Sequence, residues 1–198
     1  MDQGFPQELQ KKFYNVLGVI SKQTYKNAYL GIGNEYETYL LLDDSTVTIP
    51  TRIYFIDDEK AYDTLEDRDE RLIYDCFFTR SSDGYVRQKH LRNLLAEDFP
   101  EWCMPYIWKL SSEYVVEILD DIYKGLRTRD NTQFRAFCAN NPYMFRRFYT
   151  RMVSYWNEFY RQDCYRFHDY VGYRLYKECF GYNRKYERIS LKGENNYE

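Results

Sequence analysis

Between Glu66 and Leu126, apolar residues recur every three or four positions in four successive runs separated by short breaks. Leu72, Ile73, Cys76 and Phe77 make the stripe of the first, and Val86, Leu91, Leu94 and Leu95 that of the second, over Tyr85 to Ala96. Phe99, Trp102, Cys103, Tyr106, Ile107 and Leu110 keep the same spacing, with Pro100 and Pro105 predicting a kink or a late start. Val115, Ile118, Leu119, Ile122, Tyr123 and Leu126 complete the set, with Ser111 or Ser112 placed to cap that helix. Linkers this short make successive helices antiparallel neighbours.

The flanks carry less regular patterns. Leu9, Phe13, Val16, Leu17 and Ile20 predict a first helix after Pro6, and Gly31 and Gly33 break any helical pattern after it. Leu40–Leu42 and Thr46–Phe55 are apolar, β-branched and aromatic, and flank Asp43-Asp44-Ser45. They predict one hairpin, with Pro50 confining its second strand to an edge or bulge. Beyond Leu126, Asp130 or Asn131 can cap a short helix with Phe134, Phe137 and Cys138. A long helix from about Tyr143 to Gln162 carries Phe145, Phe148, Met152, Trp156 and Phe159 on one face, and a last one near Tyr170 to Phe180 stops at Gly181. The tail from Ser190 reads as frayed. The fold expected is a single, mainly α domain over residues 1–198: an N-terminal helix and β-hairpin at about 7–56, then a stack of short antiparallel helices at about 66–181, open to a solenoid-like arrangement.

The second of the four runs, DGYVRQKHLRNLL, has Asp83, Val86, Arg87 and Leu94 in positions that resemble the second helix of a HEAT-type repeat. The resemblance covers about residues 66–96. It implies that Asp83 and Arg87 tie neighbouring turns while the apolar positions face the next repeat. His90 and Asn93 stand where that family prefers small residues, and the phrase has no second copy, although about three repeats are normally needed for a stable stack.

Composition alters this picture in one respect. Aromatic residues make up 20% of the chain, with 23 Tyr, 13 Phe and 3 Trp, so rings build the interior, a binding surface, or both. A net charge of −3 gives no global attraction to nucleic acid or anionic lipid. No run approaches the ~20 apolar residues of a membrane span, and no secretory signal is read at the start, so a cytoplasmic location without membrane contact is expected. Five widely spaced cysteines form no CxxC pair. Cys76, Cys103, Cys138 and Cys179 fall on apolar faces, and neither disulfides, nor a metal site, nor a cofactor is indicated.

Charge is distributed unevenly. From Asp57 to Glu70, eight acids oppose Lys60 and Arg68, which reads as a solvated linker entering acidic first helical turns. Between Tyr143 and Arg188, bases outnumber acids two to one and alternate with aromatic rings. Arg146, Arg147 and Arg151 there could serve a protein partner or, with the rings as stacking faces, single-stranded nucleic acid. The two histidines suggest no catalytic pair: His90 lies near an apolar face and reads as a half-buried packing residue, and His168 beside Asp169 reads as a surface or capping residue. Catalysis has the least support. The function expected is a non-catalytic protein-interaction scaffold, with Asp83, Tyr85, Arg87 and Lys89 as exposed contact residues.

Overall fold

The structure, a computed structural model, describes residues 2–24 and 31–190. It is mainly α-helical with two small two-stranded antiparallel sheets among the described residues. The chain divides into two compact units, Met1–Ile107 and Trp108–Glu198. The tail expected to fray lies outside the described residues, apart from Ser190.

In the first unit, α1 (Gln10–Thr24) comes after a 3₁₀ turn at Gln7–Leu9 and buries Phe13 and Val16. The hairpin is β2 (Tyr36–Leu40) on β3 (Thr46–Pro50), in the register Tyr39↔Val47 and Glu37↔Ile49. These four side chains face inward, as the period-two pattern of a half-buried strand requires. Its turn places Asp44 at φ 65°, a left-handed conformation that Asp tolerates. A second pair, β1 (Gly31–Ile32) with β4 (Ile53–Tyr54), was not legible from the sequence, because two-residue strands carry no period.

The stretch expected to be a solvated linker contains the short helix α2 (Glu59–Asp63), capped by Asp58, whose side chain accepts from the Lys60 N–H at 2.8 Å. Asp57, just before it, is drawn into an ionic cluster with His90 and Lys89, and Ala61 and Leu65 are buried, while Glu59, Lys60, Asp63 and Glu66 stay exposed. The acidic first turn itself is present. Asp67 caps α3 (Arg68–Phe78) by accepting from the N–H groups of Asp69 and Glu70, and it also receives Lys12 of α1 at 2.8 Å. Asp83 caps α4 (Gly84–Ala96), and α3 and α4 pack against each other. α5 (Met104–Leu110) starts late, after the 3₁₀ turn Glu101–Cys103 that succeeds Pro100.

The second unit holds α6 (Val116–Leu126), α7 (Thr132–Asn140), α8 (Pro142–Tyr155) and α9 (Val171–Glu178). Ser111 and Ser112 do not cap α6. Their hydroxyls turn back to the carbonyls of Trp108 and Lys109, closing the end of α5, and Val115 stands at the α6 N-cap without a side-chain bond. Trp108 is fully buried against Phe137, Phe145 and Phe148, with ring centroids 5.2–5.9 Å apart. Phe134 stacks on Phe180 at 5.0 Å and Phe145 on Tyr186 at 3.9 Å, so stacked rings build much of this unit's core. Cys138 and Cys179 are buried here, as Cys76 and Cys103 are in the first unit. No helix of the described residues is long and apolar enough to cross a membrane.

The long helix expected to Gln162 ends sooner. α8 stops at Tyr155 and gives way to a π-helical turn, Trp156–Tyr160. A π-turn closes i→i+5 bonds, so each residue advances less round the axis than in an α-helix and the apolar stripe loses its phase. Phe145, Phe148 and Met152 stay buried, whereas Phe159 emerges 56% exposed.

Candidate functional site

Two clusters stand out, one in each unit. The first is ionic. His90 on α4 is 1% exposed. Its Nδ1 lies 2.6 Å from Asp75 Oδ1 of α3, and its Nε2 lies 3.0 Å from Asp57 Oδ1. The second contact is an ion pair whose N–H points off the hydrogen-bond line. Asp75 also accepts from Asn93 Nδ2 at 2.9 Å and from the Tyr62 hydroxyl at 3.1 Å, and Asp57 from Lys89 at 2.9 Å and the Tyr74 hydroxyl at 3.2 Å. The rings of Tyr74 and Phe78 pack on the imidazole at 5.5 and 5.2 Å.

A neutral imidazole has a single N–H, but here both ring nitrogens face carboxylate oxygens, which fits a ring carrying both protons. Burial pushes the His90 pKa down, but the contacts with Asp57 and Asp75 outweigh it and hold the ring above its ordinary value. Burial pushes Asp57 up, and His90 with Lys89 overcomes this to bring its carboxyl down to about 2. Beside the cluster lies a cavity of about 370 Å³, lined among others by Tyr62, Arg71, Asp75, Asn93 and Glu97.

The second cluster is an aromatic surface at the π-turn. Tyr114 is 56% and Tyr165 76% exposed, comparable with Phe159. Tyr114, Tyr155 and Phe159 form a triangle of rings with centroids 6.2–6.4 Å apart. Tyr160 anchors the turn: its hydroxyl donates to the Tyr114 carbonyl at 2.5 Å and accepts from the Val116 N–H at 3.3 Å. Trp156 donates from Nε1 to the Cys164 carbonyl at 2.9 Å, which holds the loop after the turn. The Arg161 guanidinium lies 5.8 Å from the Trp156 ring and 5.9 Å from that of Tyr165. A cavity of about 490 Å³ opens between Asn157, Glu158, Phe159, Arg161, Gln162 and Tyr165.

The residues singled out from sequence fare unequally. Asp83 is exposed and works as the α4 cap, accepting from the Tyr85 N–H at 2.8 Å. Tyr85 is 85% exposed. Arg87, expected to be exposed, is buried: its guanidinium donates to the carbonyls of Ser81 and Ser82 at 2.9 and 3.0 Å, and that pulls it inside the turn. Lys89 is half-buried on Asp57 and Glu59. Arg151 sits at the aromatic surface, 6.0 Å from the Tyr155 ring, and Arg146 and Arg147 stand half-buried further back on α8. His168 is exposed, its ring edge-on to Tyr173 at 4.5 Å. Tyr114, Phe159, Arg161 and Tyr165 were missed because an α-helical period puts Phe159 inside and says nothing about loop rings. Among the described residues, no group of three or more His, Cys, Asp or Glu side chains is placed to hold a metal ion. No protein-family model, curated protein or solved structure matches the chain.

Proposed function

We propose that this chain is a non-catalytic protein-binding module of the cytoplasm, and that its partner docks on the π-turn surface of the second unit. The observation that carries the reading is the exposure of three rings at one turn. Tyr114 lies beside Phe159, and Phe159 and Tyr165 line one cavity with Arg161, whose guanidinium lies 5.8 and 5.9 Å from the Trp156 and Tyr165 rings. Tyr, Trp and Arg dominate the energetics of protein interfaces because they bury a large area at a low entropic cost. Tyr160 and Trp156 tie the turn to neighbouring loops, so the surface is ordered before it meets a partner. The α3–α4 pair, with its likeness to a HEAT-type unit, supplies scaffold: Asp83, Arg87 and Lys89 are engaged within the chain. Nucleic acid is the weaker alternative, because Glu158 lines the same cavity as Arg161 and would oppose a phosphate there.

The test compares the immobilised chain with a Phe159→Ser/Tyr165→Ser double variant, using nuclease-treated cell extract. Proteins retained by the parent chain are expected to drop about 30-fold or more on the variant, the loss that follows from about 2 kcal/mol at a hot spot. Equal retention by a variant with unchanged circular dichroism sinks the proposal. So does retention that disappears with the nuclease and reappears as salt-sensitive binding of an oligothymidylate.

A further inference from the structure

We infer that the segment Asp57–Asp63 is a strap latched onto α3 and α4 by the charged His90 ring, and that it is released when that ring loses its proton. The latch is geometric. Two carboxylates, one on the strap and one on α3, close on opposite nitrogens of a single buried ring. Loss of one proton leaves a lone pair facing a carboxylate oxygen at a ring only 1% exposed.

The two contacts are unequal, and that decides which one opens. The Asp75 bond is shorter and aligned, and Asp75 keeps Asn93 and Tyr62 as further donors. The Asp57 contact is longer and off line, so Nε2 gives up the proton and the carboxylate it then repels belongs to the strap. What still holds the strap is Lys89, through Asp57 and Glu59, together with the Tyr74 hydroxyl on Asp57 and on the Asp58 backbone. At its far end the Tyr62 hydroxyl bonds Asp75 with Ala61 buried beside it, so release opens the Asp57 end first. Lys89 is half-exposed, and the Tyr74 contacts are 3.2–3.3 Å long. Among the described residues, the charged and titratable groups around the ring are Asp57, Asp58, Glu59 and Tyr62 from the strap, Tyr74 and Asp75 from α3, and Lys89 from α4. Tyr62 and Tyr74 are both held well above the ordinary tyrosine value by burial, and Lys89 is raised by its carboxylates, so His90 is the group that changes charge first as pH rises. The strap also carries Tyr62, a wall of the cavity of about 370 Å³, so release widens that opening.

Hydrogen exchange on the full chain between pH 6 and pH 10 tests this, with rates corrected for intrinsic base catalysis and α8 amides as the internal reference. Protection of the 58–63 amides is expected to fall by up to about tenfold per pH unit from about 6.5, levelling off once the closed form is neutral too. A His90→Gln variant is expected to show low protection without that slope. Where it proves unfolded by circular dichroism, Asp57→Asn replaces it and is expected to flatten the slope, because it removes the carboxylate that the proton serves. Protection in the parent chain that is flat with pH overturns the latch, and so does an undiminished slope in whichever variant is folded.

Discussion

A Cβ built on Gly172 would come within 2.6 Å of the Tyr170 ring and 2.8 Å of two Met152 side-chain atoms. Real Cβ atoms do not approach that closely, so Gly172→Ala forces Met152 or Tyr170 out of a packed position. A loss of about 1–3 kcal/mol is expected, the ordinary cost of overpacking, read as a lower urea midpoint. Gly18 is the control. It lies within α1 with nothing near its missing Cβ, and Gly18→Ala is expected to add about 0.5–1 kcal/mol, because alanine gives up less backbone entropy in a helix. An unchanged midpoint for Gly172→Ala would mean that α9 shifts freely on α8. Met152 was legible as a core residue from its spacing with Phe145 and Phe148. The need for glycine opposite it was not, because that need arises from the approach of two helices distant in sequence. The same holds for His90. Its place near an apolar face was readable, but not Asp57 and Asp75, which reach it from 33 and 15 residues upstream.

Caps were only partly readable, although their chemistry is local. Asp130 does accept from the Thr132 N–H at the start of α7, but Ser111 and Ser112 do not cap α6, and Asp67 was legible only as part of an acidic stretch. Asp83 and Asp67 both stand where a side-chain oxygen meets the first free N–H groups of a helix, and both bonds are present. Asp83→Ala is expected to lower stability by about 1 kcal/mol, with Asp83→Asn nearly neutral, measured by chemical denaturation; equal losses in the two variants would point to charge rather than capping. Local chemistry does not decide where two solutions share one residue type. Ser111 and Ser112 could cap α6 or close α5, and Ser111 also meets the Tyr176 hydroxyl at 2.9 Å, a partner 65 residues away. The π-turn was the least readable element. Phe145 to Phe159 keep an α-helical interval, and the change of pitch is accommodated by the Tyr160 bonds to the Tyr114–Val116 loop. The candidate surface exists because of that change, so α-helical periodicity pointed away from it.

At the scale of the chain, the readable facts were the helical class, the small hairpin and the run from acidic entry to basic, aromatic exit. That charge difference matters physically because the two units are held differently. The first contains a buried ionic cluster, and the second is packed around Trp108 and stacked rings. Asp57 has its carboxyl lowered to about 2 from an ordinary 3.8, so its contribution is complete above about pH 4 and is lost as pH falls through about 2. His90 is raised above 6.5, so its contribution is complete below that value and is lost as pH rises through the higher folded value. In the second unit, Asp130 is also lowered, but it is fully exposed and bonded only to the neighbouring Thr132, so little rests on it. Ring packing does not titrate in this range. The first unit is therefore expected to be most stable between about pH 4 and 6.5 and to loosen on either side, while the second holds. Hydrogen exchange of α3 against α8 at pH 2, 5 and 8.5 checks this: α3 protection is expected to fall at both extremes relative to α8. Parallel losses in the two helices would mean that the ionic cluster does not govern the pH response and that the units unfold as one.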